Sequence, residues 1–285
     1  MRKRPFGPTG VPVPLIGEGT WRIEQADRGE AVRAIRRALD LGMTHLDTAE
    51  MYGSGRAEEV IAEAIPGRRD EVFLVSKVLP SNATRDGVRR ACEASLRRLR
   101  TDRLDCYLLH WPSSVPLRET LGAFEELRNE GKILSYGVSN FDARDVQEAV
   151  AIAGPGRIAC NQVLYNLEQR GIEHELLPAC RALGIAVVGY TPLGARHALG
   201  AKGEKDGASA GVLRRIGEAH GVTPAAVALA FLVREEPLFT IPMSANAAHV
   251  EENATAGDLV LSPEEIAEID RAFPRGKKPR SLPTG

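Results

Sequence analysis

Four side chains able to bind or release a proton fall at or just beyond the ends of three successive apolar runs. His45-Leu46-Asp47, Val75-Ser76-Lys77 and Leu108-Leu109-His110 close the runs over 44–47, 72–77 and 104–110, and Tyr52-Gly53 follows the first of them. A phenol, with a reference pKa near 10, is a poor acid or base at neutral pH unless a cation stabilises its anion. A unit charge about 4 Å away is worth roughly 4 kcal/mol at an effective dielectric of 20, enough to lower a phenol by on the order of two to three pKa units before desolvation is counted. Lys77 is placed to be that cation. A buried lysine loses its proton unless a carboxylate accompanies it, and Asp47 supplies one. His110 can hydrogen-bond a carbonyl oxygen and orient it. Singly, each residue has a plain structural explanation: a turn-capping aspartate, a surface tyrosine beside glycine, a satisfied histidine. Delivered by neighbouring strands to one rim, the four describe a site that protonates an oxygen as negative charge develops on it.

The elements that must position them alternate in type. Short β-branched runs predict strands over 15–17, 44–47, 72–77, 104–110, 133–138, 158–163, 186–190 and 238–242. Segments with apolar residues three and four apart predict helices over 27–41, 56–65, 84–99, 117–131, 142–151 and 172–183 between them. Gly42, Gly131 and Gly184 stand where left-handed helix C-caps are favoured. Two helices, over 212–220 and 224–233, precede the eighth strand, the second entered by Thr223-Pro224. A helix over 246–253 and another opened by the capping box Ser262-Pro263-Glu264-Glu265 come after it. The βαβα alternation without a break predicts α/β architecture: one (β/α)8 TIM barrel over residues 1–285, with extra C-terminal helices. Gly7-Pro8-Thr9-Gly10 predicts an N-terminal β-hairpin across the barrel bottom, and the Gly/Ala/Lys-rich stretch 194–211 a mobile loop. In such a barrel the chemistry sits at the C-terminal ends of the strands.

Composition removes other classes. The 285 residues carry 37 basic and 38 acidic side chains, a formal net charge of -1, so no field is present to draw nucleic acid or an anionic membrane as a partner. The longest apolar stretch, 225–233, is about half a membrane span and reads as a buried helix. The basic start, Met1-Arg2-Lys3-Arg4-Pro5, has no apolar region behind it, so a cytoplasmic protein is expected. Cys92, Cys106, Cys160 and Cys180 lack CxxC spacing and read as reduced thiols. No metal site is expected, since Pro178 breaks the helix behind His174-Glu175. GxSxG and GxxxxGK[ST] are absent, and Gly53-Ser54-Gly55 lacks the third glycine of a dinucleotide fingerprint.

The run Leu46-Asp47-Thr48-Ala49-Glu50-Met51-Tyr52-Gly53, with Ser76-Lys77, Leu108-Leu109-His110-Trp111-Pro112 and Gly137-Val138-Ser139-Asn140-Phe141, resembles the signatures of the aldo-keto reductases. The likeness covers nearly the whole chain and is greatest to small prokaryotic, methylglyoxal reductase-like members. It implies a barrel that reduces small aldehydes and ketones by hydride transfer from NAD(P)H, NADPH above all, through the catalytic tetrad Asp47, Tyr52, Lys77 and His110, with Tyr52 as proton donor. It also implies a nicotinamide amide held by Ser139, Asn140 and Gln162, a ring stacked on Tyr190, and further cofactor contacts at Gly19, Thr20, Trp21 and Asp47. The pyrophosphate is expected at Thr191, Pro192, Leu193 and Gly194, and the adenosine end at Ile241, Pro242, Met243, Ser244, His249, Glu252 and Asn253. Members that prefer NADPH place lysine and arginine where Met243 and His249 stand. Each lost charge-assisted contact is worth about 1.5–3 kcal/mol, so NADH is expected to be accepted as well. Ser244 and the helix start at Asn246 remain as neutral phosphate donors.

Trp21, Met51, Tyr52, Leu79, His110 and Trp111 are expected to line an apolar substrate mouth. The basic tail, with Arg275, Lys277, Lys278 and Arg280, would mildly attract carboxylated substrates. A monomer is expected. Two alternatives stay open: a cofactor-binding regulatory subunit of the same fold, as in potassium-channel β subunits, and a barrel lyase in which Lys77 forms a Schiff base.

Overall fold

Lys3–Pro5 (β1) and Pro12–Pro14 (β2) pair antiparallel, joined by a 3-10 turn over Gly7–Thr9. In the computed structural model, which describes residues 1–194 and 208–284, this hairpin closes the N-terminal end of a barrel. Phe6 at its corner is fully buried, with its ring 4.8 Å from that of Phe73, 5.1 Å from Phe239 and 5.7 Å from His45, all at strand starts. Gly7 permits the close approach: a Cβ there would stand 2.2 Å from the Ala159 carbonyl oxygen, and its φ of 53° suits glycine.

The barrel strands are Glu18–Gly19 (β3), His45–Asp47 (β4), Phe73–Val78 (β5), Leu104–Leu109 (β6), Ile133–Ser139 (β7), Ile158–Leu164 (β8), Ala186–Tyr190 (β9) and Leu238–Thr240 (β10), all parallel and in chain order. The first differs from its expected place at 15–17, for a physical reason. Residues 15–17 bond across the closing seam, Gly17 N–H to Thr240 O at 2.8 Å and Thr240 N–H to Leu15 O at 3.0 Å, whereas Glu18 and Gly19 pair with β4. One extended segment thus serves two neighbours, and Gly19 N–H to Pro242 O at 2.8 Å completes the closure.

Helices Arg28–Asp40 (α1), Arg56–Ala64 (α2), Arg85–Leu99 (α3), Leu117–Asn129 (α4), Ala143–Ala153 (α5) and Leu176–Leu183 (α6) follow the strands as crossovers. The helix expected over 172–183 is shorter because Pro178, which lacks an N–H, is tolerated only in the first turn, so α6 starts just ahead of it and a 3-10 turn covers Gly171–Glu173. Ala208–His220 (α7) starts earlier than the expected 212. Pro224–Leu232 (α8) carries the expected Thr223 cap and is buried throughout 226–232, which suits an all-apolar helix. Ala247–Thr255 (α9) is capped by Asn246, and Pro263–Ala272 (α10) opens with the expected capping box and packs on α7. The rest of the expected mobile loop, 195–207, lies outside the described residues. All four cysteines are buried free thiols, and no described helix is long and apolar enough to cross a membrane.

His45, at the sealed end, has neither ring nitrogen partnered among the described residues. Burial pushes its pKa from 6.5 down to about 4. The unfolded chain therefore takes up a proton at a higher pH than the folded one, so stability at pH 7 is unaffected and is lost as pH falls from about 6.5 towards 4, by about 3 kcal/mol in total. Urea unfolding at pH 7 and pH 4.5 checks this. The His45→Leu variant is expected to lose about 2 kcal/mol less than the parent between the two conditions, and equal losses would refute the assignment.

Candidate active site

The C-terminal ends of β4, β5 and β6 bring the four proton-handling side chains together. Asp47 ends β4, Lys77 lies inside β5, and His110 follows β6 directly, its N–H bonded to Val78 O at 3.0 Å. Tyr52 is carried back over the barrel by a tight turn in which Gly53 and Ser54 both have positive φ.

The Lys77 ammonium has three N–H bonds to give, and each has an acceptor: Asp47 Oδ1 at 2.5 Å, Thr48 O at 2.8 Å and Tyr52 Oη at 3.2 Å. Burial alone would drive the lysine to lose its proton. Asp47 and Tyr52 outweigh burial and hold its pKa above the ordinary value. A fully buried, fully committed ammonium is no amine nucleophile, which argues against the Schiff-base alternative.

Tyr52 departs from the sequence expectation. Burial raises its pKa, and the opposing pull of Lys77 does not cancel that, with Asp47 adding to the rise. The phenol therefore stays protonated, and because its oxygen accepts from Lys77, its own proton is left to point elsewhere. The His110 ring lies edge-on to Tyr52, 5.7 Å between centroids, and stacks on Trp111 at 3.9 Å. Burial, then the charge of Lys77, pushes His110 down to about 2, so the imidazole is neutral at physiological pH, a hydrogen-bonding group rather than a proton source.

A cavity of about 330 Å³ opens above this cluster. Its walls include Gly19, Thr20, Trp21, Asp47, Met51, Tyr52, His110, Trp111, Asn140, Gln162, Tyr190, Thr191, Pro192, Leu193, Gly194, Ile241, Pro242 and Met243. Most of the residues the resemblance implied thus line one opening. Lys77 and Ser139 are buried behind the wall, Ser139 Oγ donating to Gln162 O at 2.9 Å. Leu79 is not among the walls; its N–H is held by Glu50 Oε1 at 2.7 Å. His249, Glu252 and Asn253 lie on α9, also outside the lining. The basic tail is engaged elsewhere, Lys278 pairing with Glu175 and Arg275 lying 3.8 Å from Glu173.

Asn140 has a left-handed backbone, φ 61°, which asparagine tolerates better than most residues. Its side chain donates to His110 O at 3.0 Å and accepts from Tyr190 Oη at 2.8 Å, tying together three strand ends. Four links escape sequence reasoning. Gln162 Nε2 donates to Asp47 Oδ2 at 2.7 Å, so both carboxylate oxygens are engaged. Thr20 Oγ1 donates to Asp47 O at 2.9 Å, and Thr48 contributes only a backbone carbonyl. The fourth is Glu18, fully buried, whose Oε1 accepts from Ser244 N–H at 2.8 Å. The one sequence signal for it is an acidic residue set between two glycines, Gly17-Glu18-Gly19, which sequence reading passes over.

Ser244 also departs from expectation as a phosphate donor. Its N–H is committed to Glu18 and its Oγ to the Asn246 turn, accepting from Asn246 N–H at 3.0 Å, while Asn246 Oδ1 takes Ala248 N–H at 2.9 Å.

Barrel, rim cluster and cavity define an enzyme of the carbonyl-reducing class, and the chain belongs to the aldo/keto reductase family, whose profile matches residues 15–273. Among its relatives, the methylglyoxal reductase YeaE of Escherichia coli (strain K12) is 43% identical over 274 residues, covering 95% of each chain. The aldo/keto reductase from Klebsiella pneumoniae solved in complex with NADP and acetate is 43% identical, with a TM-score of 0.90 over 100% of both chains. A second Klebsiella pneumoniae aldo-keto reductase, in complex with NADPH, is 44% identical at a TM-score of 0.89, covering 98% of each.

Proposed function

We propose that this chain reduces small aldehydes, ketones and dicarbonyls to alcohols, using NADPH and also NADH, with Tyr52 as the proton donor. The observation that carries the reading is the exhaustion of the Lys77 donors: with all three N–H groups placed, the phenol proton is the one directed at the cavity. The cavity suits a nicotinamide. Gln162 keeps its amide oxygen and one N–H for a carboxamide, the Asn140 oxygen has a lone pair beyond the one Tyr190 uses, Tyr190 offers a ring face, and the surroundings are largely apolar. When bound, the reduced cofactor supplies a hydride to the carbonyl carbon. Tyr52 then gives its proton to the carbonyl oxygen, yielding the alcohol, and the Lys77 ammonium stabilises the phenolate that remains. Neutral His110 orients the oxygen by hydrogen bonding. Trp21, Met51 and Trp111 form an apolar mouth beside Tyr52, and a volume of about 330 Å³ shared with the nicotinamide end favours small substrates.

The same reading extends to the cofactor. Met243 lines the cavity, and neither it nor exposed His249 offers the fixed charge that a 2′-phosphate rewards. A panel of methylglyoxal, short aldehydes, ketones and aldoses assayed with each cofactor tests both halves. Turnover of small carbonyls is expected with both, within a hundredfold of each other in kcat/KM. No oxidation of either cofactor would overturn the function, and a preference for NADPH above about a thousandfold would overturn its cofactor half.

A further inference from the structure

Glu18 is a fully buried acid that the proposed reaction does not use. It sits on β3 beneath the turn 242–246, whose outer side presents Met243 to the cavity. Gly19 bonds that turn at Pro242 O, and Glu18 Oε1 takes the Ser244 N–H at 2.8 Å. The second oxygen, Oε2, is buried and has no partner among the described residues. A buried carboxyl with one orphaned oxygen is costly, and burial holds its pKa well above the ordinary carboxylate range. The fold therefore carries it at a penalty.

From this geometry we infer that Glu18 is a specificity-determining residue that disfavours a dinucleotide bearing a 2′-phosphate and so admits the 2′-hydroxyl form. This rests on the reading of the cavity as a nicotinamide dinucleotide site. A phosphate seeks backbone N–H donors at a turn leading into a helix N-terminus, and here the turn leads into α9. The N–H it would seek at Ser244 is already occupied by a carboxyl oxygen. Burial favours the neutral carboxyl, so the obstacle to a phosphate is the occupied N–H rather than a charge. A ribose hydroxyl is both donor and acceptor and does not depend on that N–H.

The test is binding rather than turnover. Both tryptophans of the chain, Trp21 and Trp111, line the cavity, so quenching of intrinsic fluorescence reports occupancy. Kd values for NADPH and NADH, and competition by adenosine 2′,5′-bisphosphate against AMP, are measured for the parent, Glu18→Leu and Glu18→Gln. Glu18→Leu frees the Ser244 N–H. It is expected to tighten NADPH relative to NADH by about tenfold or more, with the bisphosphate gaining on AMP to match. Glu18→Gln keeps volume and acceptor, so the Ser244 N–H stays occupied, and it is expected to leave the ratio within twofold of the parent. Both variants lose a buried acid and are expected to melt no lower than the parent. If both fold and neither shifts the ratio beyond twofold, Glu18 has no such role. If the parent binds neither nucleotide, it is the cofactor reading that fails.

Discussion

Tyr52→Phe is expected to lower kcat for carbonyl reduction by about a thousandfold, within the 10²–10⁴ range that a positioned general acid contributes, while leaving the Kd of the cofactor within about twofold. The ring is retained, so its edge contact with His110 and its place over the Lys77 ammonium, 4.9 Å from Nζ to the ring centroid, remain available. What disappears is the phenolic oxygen that accepts from Lys77 and, with it, the proposed proton donor. Steady-state rates with methylglyoxal and cofactor titration by tryptophan quenching check the two halves. More than a tenth of parental turnover would refute Tyr52 as donor. The pH profile carries the same information. Since burial keeps the phenol protonated, kcat/KM for reduction should stay flat through neutral pH and fall only above the range where an ordinary tyrosine ionises, because the acid is active only while it holds its proton. His110, held at about 2, contributes no limb near neutrality.

That profile also marks where sequence reasoning stopped. Pairing Tyr52 with Lys77 from their strand ends was sound, because in a parallel barrel strand order fixes which side chains share a rim. The net sign of the phenol's shift stays open in a pairwise Coulomb estimate, which is made before desolvation is counted, and desolvation depends on what every other element places overhead. The same limit explains Ser244. A serine ahead of a capped helix reads as a free donor until β3 is seen to bring Glu18 beneath it. It explains the Gln162 contact with Asp47 as well, since the two lie on β8 and β4 and meet only across the barrel interior. Residues 15–17 were misassigned by a few positions because a seam strand divides its hydrogen bonds between two partners, and a periodicity of two does not report which.

Lys77→Met is expected to be the most damaging single change to stability, by about 3–5 kcal/mol, because it strips a buried carboxylate of its counter-ion. Asp47 is 1% exposed and Lys77 0%. With the ammonium gone, Asp47 Oδ2 keeps the Gln162 amide, but Oδ1 faces an apolar methionine and the Thr48 carbonyl loses its donor. The pair as a whole is worth less than this figure, because both ions were desolvated to form it, so the double variant Lys77→Met with Asp47→Asn should recover at least 1 kcal/mol of the loss relative to Lys77→Met alone. Urea unfolding of the parent, both single variants and the double variant measures the coupling. Additive losses would mean that the two side chains do not act as a pair. Catalysis separates from stability in the same set. Without Lys77 the remaining influences on Tyr52, burial and Asp47, both raise its pKa, so any residual activity should keep its plateau to still higher pH.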